Sequence, residues 1–429
     1  MTRDPRSRRG FLAGLATAGA AAVAGCAASP LADGETNRGE ATAVPPGLVD
    51  AVEWPPAPFP ATVPDSLAAA HQSRARDLLD AVPAEPSLPN AAVAAAIADD
   101  RARAVERVDA EPTDPWPTEA LAARRRARGT AATVRGAYRA ATGVDESADL
   151  AARRRTVRED RAALAAGLEY RAESTAAAAL AYEPVESLLA ACARHLVPTV
   201  RYPDDPVAAP FRAGDAVGDV ERARAAATDA AGLRDAFHGD REGIDPQWAS
   251  LVAAAETLDG SVRRTRAEVR RRTGDEAVPT DEDLSGTVAQ ELAVATERRT
   301  ASAVRGVERA SDDGNYATAV IEAGTALATV EARRRAVGAI RDGGHRNPPS
   351  ESSLRSAAER AREAVAAVDG GDPLAARFVR PALASLGRVA DEIDAGYADP
   401  RRTQAELTYA ALYARAVPPA TAFVRERLG

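Results

Sequence analysis

The chain lacks lysine altogether, because all 55 of its basic residues are arginines, and only 4% of its residues are aromatic. The absence of lysine excludes a P-loop, whose lysine contacts nucleotide phosphates. The sequence also lacks Gly-x-Ser-x-Gly, Gly-x-Gly-x-x-Gly, His-Glu-x-x-His and Glu-x-x-His patterns. The sequence therefore shows no nucleophile elbow of an α/β hydrolase, no dinucleotide-binding turn, and no metal signature of a zinc protease or a di-iron bundle. With so few aromatic residues, the core must consist mainly of Ala, Leu and Val.

Helical periodicity dominates the chain from about residue 64 onward. One apolar stripe, with spacings of four, three, four and three residues, comprises Leu354, Ala358, Ala361, Val365 and Val368. Such spacing is typical of an amphipathic helix. Alanine, with 106 residues, arginine and glutamate are abundant and favour helices. No run of alternating β-branched residues indicates a strand. We therefore predict an all-α fold.

Helix-breaking residues divide this region into about eleven or twelve helices. Proline, glycine and short polar clusters mark the boundaries at residues 83–89, 111–117, 142–146, 198–219, 239–246, 273–283, 312–315, 342–350, 369–373 and 398–400. Pro184 and Pro381 predict a break or a kink within a helix. Long helices and short turns favour antiparallel neighbours, either in a bundle or in an array of helical hairpins.

The longest linker, residues 201–219, divides the helical region into subdomains at 64–200 and 215–429. The pattern leaves open that the two subdomains form one continuous body. Residues 313–319 resemble the start of a tetratricopeptide helix pair, whose arrays repeat about every 34 residues. Because no second copy lies in register, we predict an isolated helical hairpin at this position.

The first 26 residues resemble a twin-arginine export signal joined to a lipobox. The adjacent residues Arg8 and Arg9 are followed by Phe11 and Leu12, and then by an apolar run that ends before Cys26. The run is too short to span a bilayer, which needs about 20 apolar residues. In similar lipoproteins the signal, here residues 1–25, is removed, and the next cysteine carries a two-chain lipid that anchors stably. The resemblance implies a location on the extracytoplasmic face of the cell membrane.

Charge and cysteine content agree with that location. The net charge is −8, and removal of residues 1–25, with four arginines and one aspartate, would leave −11. An acid excess without lysine resembles proteins of salt-loving archaea, because a Debye length of about 3 Å at molar salt screens surface repulsion. A GC-rich genome would produce the same bias. We expect no nucleic-acid partner for an acidic, exported chain. With Cys26 lipidated, Cys192 has no partner for an internal disulfide.

Residues 26–63 form a candidate tether between the anchor and the body. The segment is rich in proline, with glycine and acidic residues between, and such a composition predicts a stiff, disordered chain without a core. Trp54 and Phe59 depart from this composition. We expect both aromatic side chains to dock on the folded body.

One pair of residues has the minimum composition of a cysteine nucleophile. Cys192 and His195 lie at positions i and i+3 of one predicted helix and therefore share a face. However, Leu189, Cys192 and Leu196 form an apolar stripe, and free cysteine is among the most buried residue types. Burial of the thiol in the core is therefore the favoured interpretation.

The remaining histidines give no metal signature. His71 and His345 have no ligand pattern around them, while His238 follows Asp235 and precedes Gly239 and Glu242. We interpret His238 as a residue at a helix C-terminus that interacts with the helix dipole. The acidic segment at 312–315 lacks the spacing of a calcium loop and indicates a turn. No catalytic, cofactor-binding or metal-binding residue is assigned from the sequence.

Arginine clusters recur along the helices. Guanidinium groups bind phosphate and carboxylate in pairs, so the clusters could form a surface for anions or lipid headgroups. The favoured interpretation is instead a set of solvated helix faces, paired with the abundant acidic residues. The clusters comprise Arg124 to Arg126 with Arg128, Arg153 to Arg155, Arg263, Arg264 and Arg266, Arg270 to Arg272, Arg298 and Arg299, Arg333 to Arg335, and Arg401 and Arg402.

These features together predict a membrane-anchored, extracytoplasmic helical protein that acts by binding, as a scaffold or an accessory subunit of an envelope protein partner. Its membrane contact would be the lipid on Cys26. Two alternatives stay open. A helical enzyme could have a site scattered over several helices, and a ligand-binding lipoprotein could feed a transporter, although such receptors usually consist of α/β lobes.

Overall fold

The computed structural model describes residues 43–49, 53–197, 201–239, 241–273 and 284–429. These residues form thirteen helices and confirm the all-α prediction. The helices are α1 (Asp65–Asp80), α2 (Ala91–Asp109), α3 (Pro117–Ala141), α4 (Ser147–Ala166), α5 (Thr175–Leu196), α6 (Pro210–His238), α7 (Trp248–Thr273), α8 (Val288–Asp312), α9 (Tyr316–Arg341), α10 (Glu351–Ala366), α11 (Pro373–Asp394), α12 (Pro400–Ala414) and α13 (Val417–Leu428). Two two-residue strands, β1 (Arg171–Ala172) and β2 (Asp245–Pro246), pair antiparallel.

Polar caps and prolines start many of these helices where the sequence places them. The Asn90 side chain accepts hydrogen bonds from two backbone N–H groups of α2, and Ser350 with Ser353 forms a capping box at α10. Helices α3, α6, α11 and α12 begin with a proline, whose missing N–H costs nothing in the first turn. Pro184 and Pro381 lie inside α5 and α11, so neither proline ends its helix.

Two breaks that the sequence analysis missed raise the number of helices above eleven or twelve. The first follows Gly167 and leads into β1, where Tyr170 has a φ of 50° and turns the chain. The second lies at 415–416, before Pro418 and Pro419. Neither proline has an N–H with which to continue the hydrogen bonds of α12. The missed breaks therefore arise from one strained tyrosine and one proline pair.

Small residues allow the helices to approach closely, as the core composition predicts. Helices α3 and α6 touch at Gly136, Gly214 and Gly218, where a Cβ atom on Gly214 would lie 2.4 Å from the carbonyl oxygen of Thr133. Alanines line much of the core, with Leu, Val and Ile between them. The apolar stripe that begins at Leu354 is buried, and α8 and α9 pack as the predicted hairpin around the turn at Gly314.

The described part of the Pro-rich segment lies on the helical body, and the docking of Trp54 and Phe59 is confirmed. The Trp54 ring packs edge-on against the ring of Trp116, with 5.5 Å between centroids. The indole N–H of Trp116 donates to the carbonyl oxygen of Pro55 over 2.9 Å. Leu48 and Phe59 are buried in the main core cluster. The proline-rich chain at residues 53–63 is therefore a strap across the body.

Residues 42–429 form one compact unit. The predicted subdomain boundary at 201–219 is wrong, because α6 begins at Pro210 inside that linker and packs mainly against α3 and α5. Helices α1 to α6 and α7 to α13 meet mainly where α5 packs against α9. Among the described helices, α5 alone is long and apolar enough to cross a membrane, and 56% of its most apolar window is buried within the body. A buried core helix meets the same length and composition criteria.

Candidate functional site

Five of the predicted functional residues lie outside the described residues. They are the export-signal residues Arg8, Arg9, Phe11 and Leu12 and the lipidation site Cys26. Export and lipid attachment therefore stay predictions. The candidate sites below come from the helical body.

The Cys192 thiol lies in the core, as the favoured interpretation predicts. Its residue is fully buried, and burial raises the pKa of the thiol to about 11. A nucleophilic cysteine needs a lowered pKa, so the environment acts in the opposite direction. His195 instead faces α6, where its Nδ1 lies 3.5 Å from Oδ1 of Asp219. The structure does not bring the thiol and the imidazole together as a hydrogen-bonded pair.

His238 has a partner that the sequence analysis did not foresee. The residue is the last of α6, and its Nε2 lies 2.7 Å from the Tyr182 hydroxyl. Desolvation lowers the pKa of His238, and the neighbouring Arg234 adds to this effect. The neutral imidazole is therefore favoured, which weakens the proposed interaction with the helix dipole. Within the described ranges, no group of three His, Cys, Asp or Glu side chains is placed to hold a metal ion.

A buried ionic cluster joins α1, α3 and α6. His71 Nε2 lies 2.7 Å from Oδ1 of Asp229, and Arg125 donates to Oδ2 of the same carboxylate over 2.6 Å. Arg128 donates to Glu221 over 2.8 Å and lies 3.3 Å from His71 Nδ1. Because a guanidinium group only donates, Nδ1 must accept, and the proton of the neutral ring is on Nε2. His71, Asp229 and Glu221 are at most 4% exposed, so we assign a structural role to the cluster.

A second buried carboxylate holds the N-terminus of α9. Glu186 of α5 accepts hydrogen bonds from the backbone N–H groups of Ala317 and Thr318 over 3.2 and 2.7 Å, and from the Tyr170 hydroxyl over 2.7 Å. Desolvation raises the pKa of Glu186 to about 7, although these hydrogen bonds oppose the shift. The strained turn at Tyr170 and the start of α9 therefore depend on one side chain.

Arginine pairs add to the same junction. Arg377 of α11 donates to Glu183 of α5 over 3.0 Å. Burial by itself would lower the pKa of Arg377, but the carboxylates of Glu183, Glu119 and Glu322 raise it above its ordinary value. Arg380 lies within 4 Å of Asp114 and Glu119 and over the ring of Trp116. These contacts fasten α11 to the first half of the body.

The arginine groove, formed by α8, α9, α11 and α12, is the best candidate for a binding site. Its volume is about 480 Å³, within the usual range for small-molecule pockets. Four arginines line it: Arg299, Arg305 and Arg309 from α8, and Arg388 from α11. The other lining residues are Ser302, Ala303, Gly306, Glu322, Thr325, Thr329, Pro381, Ala384, Ser385 and Tyr409.

The positive charge of the arginine groove is only partly neutralised. Arg299 donates to Glu406 and stacks on the Tyr409 ring at 4.1 Å, yet its Nη1 is buried and has no hydrogen-bond partner in the part of the chain that is described. Arg388 lies 3.7 Å from Glu406. Among the described residues, Arg305 and Arg309 form no ion pair. The groove therefore presents guanidinium donors that the protein itself does not satisfy.

Glu322 is the carboxylate within the arginine groove. Burial raises its pKa and Glu183 adds to the shift, while the guanidinium groups of Arg377 and Arg309 oppose it. The side chain lies close to the backbone of α8, since a Cβ atom on Gly306 would approach Glu322 Oε2 to 2.8 Å. The glycine therefore makes room for the carboxyl group beside the unpaired arginines.

A second groove in the first half of the body also contains four arginines. It has a volume of about 440 Å³ and is lined by Arg107, Arg124, Arg126 and Arg222. Arg124 donates to the carbonyl oxygens of residues 108 and 110 and to Glu111, and Arg222 donates to Asp219. Arg124 and Arg222 therefore have intramolecular acceptors, whereas Arg107 and Arg126 are exposed and form no ion pair among the described residues. The arginine groove differs in the buried Nη1 of Arg299, which has no hydrogen-bond partner there.

Most of the predicted arginine clusters pair with acids, as the favoured interpretation holds. Arg263 pairs with Asp259, Arg333 with Glu297, Arg334 and Arg335 with Glu331, Arg153 with Glu146, Arg401 with Asp399 and Arg402 with Glu392. Of the groove arginines, only Arg299 belongs to a predicted cluster. Arg305 and Arg309 are isolated in sequence, and their spacing of one turn on α8 is the signal that could have identified the groove.

Two family models match most of the helical body. A domain of unknown function, DUF8262, matches residues 66–243, and another domain of unknown function, DUF8264, matches residues 248–426. Comparison with curated proteins and with solved structures found no match to this chain. The buried ionic cluster lies within the first matched segment and the arginine groove within the second. Glu186 joins the two segments, whose boundary falls at β2.

Proposed function

We propose that this protein is a lipid-anchored binding protein on the extracytoplasmic face of the cell membrane. The twin-arginine and lipobox patterns support this location. The arginine groove is the observation that carries the binding role, because it gathers four guanidinium groups, of which Arg305 and Arg309 form no ion pair and Arg299 has a buried nitrogen without a partner among the described residues. In this proposal the helical body holds the groove, and the lipid on Cys26 keeps it at the membrane.

The strap limits how far the body can lie from the anchor. The disordered tether predicted for residues 26–63 is wrong for its described part, because Leu48 and the strap pack on the body. Residues 27–42 can extend over no more than about 55 Å, at 3.3–3.6 Å per residue. A ligand bound in the groove would therefore stay close to the membrane surface, as suits a lipoprotein that serves a membrane partner.

Cell fractionation with outside-added protease tests the address. In a host with a twin-arginine export pathway, we expect the wild-type protein in the membrane fraction and cleavable from outside. Cys26→Ala should release it into the medium, and Arg8→Gln with Arg9→Gln should keep it inside the cell. The matched control, Arg3→Gln with Arg6→Gln, removes the same charge from the same segment and should behave like the wild type.

Two results would contradict the proposal. Membrane retention of the Cys26→Ala variant would show that an uncleaved helix anchors the protein, and not a lipid on Cys26. Export of the Arg8→Gln, Arg9→Gln variant at the wild-type level would show that the twin-arginine pattern is not the export signal. If instead both variants behave as expected, crosslinking on intact membranes would identify the envelope partner of the anchored protein.

A further inference from the structure

We propose that the arginine groove is a binding site for a phosphate group, carried by a small phosphate ester or by a lipid headgroup. The inference deepens the binding role proposed above, and it rests on that role only for the location of the ligand. No residue of the groove is part of the predicted export signal or lipobox.

The donors of the groove converge from two walls. Arg305 and Arg309 are one turn apart on α8, so their Cβ atoms lie about 5–6 Å from each other on one face. Arg299 also lines the groove from α8, about 120° around the helix from Arg305, and Arg388 comes from α11. Like charges at positions i and i+4 repel each other, and an anion between them would remove the repulsion. The buried, partnerless Nη1 of Arg299 supplies a further donor.

The charge balance favours a dianion over a single carboxylate. Four guanidinium groups and the carboxylates of Glu322 and Glu406 give the groove a formal charge of +2. One phosphate monoester, with a charge of −1.5 to −2 at neutral pH, would neutralise it. Its oxygens can accept from several arginines at once, whereas a carboxylate matches a single guanidinium group in the bidentate geometry.

The remaining lining fits the organic part of such a ligand. Ser302 and Ser385 contribute hydroxyl groups, and Ala303, Pro381 and Ala384 contribute apolar surface. The volume of about 480 Å³ exceeds what a phosphate ion alone would fill. The groove is therefore suited to a phosphate with an attached group that lies along α8.

Titration of the purified full-length protein with inorganic phosphate tests the site directly. Binding is measured by calorimetry at constant ionic strength, with chloride as the balancing ion because screening weakens such contacts. We expect saturable binding at one site. The Arg305→Gln, Arg309→Gln variant should bind at least tenfold more weakly. Because both side chains are exposed and unpaired among the described residues, the variant should retain the helical content and melting temperature of the wild type.

The second groove supplies the matched control. Arg107→Gln with Arg126→Gln removes the same charge from a groove that also contains four arginines, and its phosphate affinity should stay within twofold of the wild type. Equal losses in the two double variants would show nonspecific attraction and overturn the proposal. Absence of saturable binding to both inorganic phosphate and the vesicles described next would also overturn it.

Vesicles distinguish the two sources of the phosphate group. The Cys26→Ala protein, which has no lipid of its own, is sedimented with phosphatidylcholine vesicles with and without phosphatidate. Binding to phosphatidate vesicles that depends on Arg305 and Arg309 supports a lipid headgroup, and binding to free phosphate alone supports a soluble ester. Fractionation results that contradict the membrane location would not affect the interpretation of these titrations. The two proposals can therefore be contradicted independently.

Discussion

The buried ionic cluster and the arginine groove use the same side chain for opposite purposes. In the cluster, Arg125 and Arg128 of α3 face Asp229 and Glu221 of α6, and each guanidinium group has an acidic partner. In the groove, Arg305 and Arg309 of α8 form no ion pair among the described residues, although Glu322 of α9 lines the same groove and acts on Arg309 at longer range. The difference shows that the facing helix decides whether an arginine stabilises the fold or remains available to a ligand.

Helix periodicity explains how the two arrangements arise. Asp229 and Glu221 are eight residues apart, close to two helical turns, so both point toward α3. The corresponding positions facing α8 contain Thr325, Ser385 and Ala384 in addition to Glu322. Hydroxyl groups and small side chains leave space where the first half of the body has carboxylates.

Removal of Asp229 should produce the largest effect. Asp229→Ala leaves His71 and Arg125 without their buried partner, and breaking a buried pair costs about 3–5 kcal/mol of unfolding free energy. Denaturant unfolding measures the loss. Asp109→Ala is the control, because it breaks an exposed contact with Arg76 and should cost less than about 1 kcal/mol. Similar losses in both variants would contradict the structural role of the cluster.

Glu186 extends the comparison to a buried carboxylate whose hydrogen-bond donors are neutral. Its pKa of about 7 in the folded protein exceeds the ordinary value of 4.5, so the folded state holds the proton more tightly. The stability it contributes is present below about pH 4.5 and is lost as the pH rises through about 7. Relative to Glu186→Gln, the wild type should lose about 3 kcal/mol of unfolding free energy over this range.

Unfolding of both proteins in denaturant between pH 4 and pH 8 measures this difference. Glu186→Gln keeps an oxygen acceptor but has no titrating proton, so the difference between the two curves isolates one carboxyl group. Tyr170 donates to Glu186, and burial raises the pKa of Tyr170 and of Tyr182 above the ordinary value of 10, so neither hydroxyl titrates in this range. Parallel curves would show that Glu186 has the same pKa in the folded and unfolded states and would contradict the shift.

The sequence predicted the fold class because helical periodicity and capping residues are local signals. The stripe at Leu354, the α8–α9 hairpin and the docking of Trp54 all follow from neighbouring residues. The break after Gly167 has a local signal in that glycine, which caps α4, whereas the positive φ of Tyr170 accompanies a hydrogen bond to Glu186 in the next helix and could not be predicted. The missed break at 415–416 was in principle visible from Pro418 and Pro419.

The sites depend on contacts between residues far apart in the chain. His71 and Asp229 are 158 positions apart, and nothing near either residue indicates the other. The arginine groove requires four helices, and its decisive property is that Arg305 and Arg309 form no ion pair among the described residues although Glu322 lines the same groove. Sequence clusters identified only Arg299 among its lining arginines, because the composition of one helix does not reveal the residues of the helix that faces it.

The most direct test of the account is the same substitution made once in each region. Arg128→Gln and Arg309→Gln remove one guanidinium group each, and denaturant unfolding at neutral pH gives the change in unfolding free energy. The account predicts a loss of about 3 kcal/mol or more for Arg128→Gln, which leaves Glu221 buried without its main partner. It predicts a change within about 0.5 kcal/mol for Arg309→Gln. Equal losses would show that the groove arginines are structural and would contradict the assignment of the groove to a ligand.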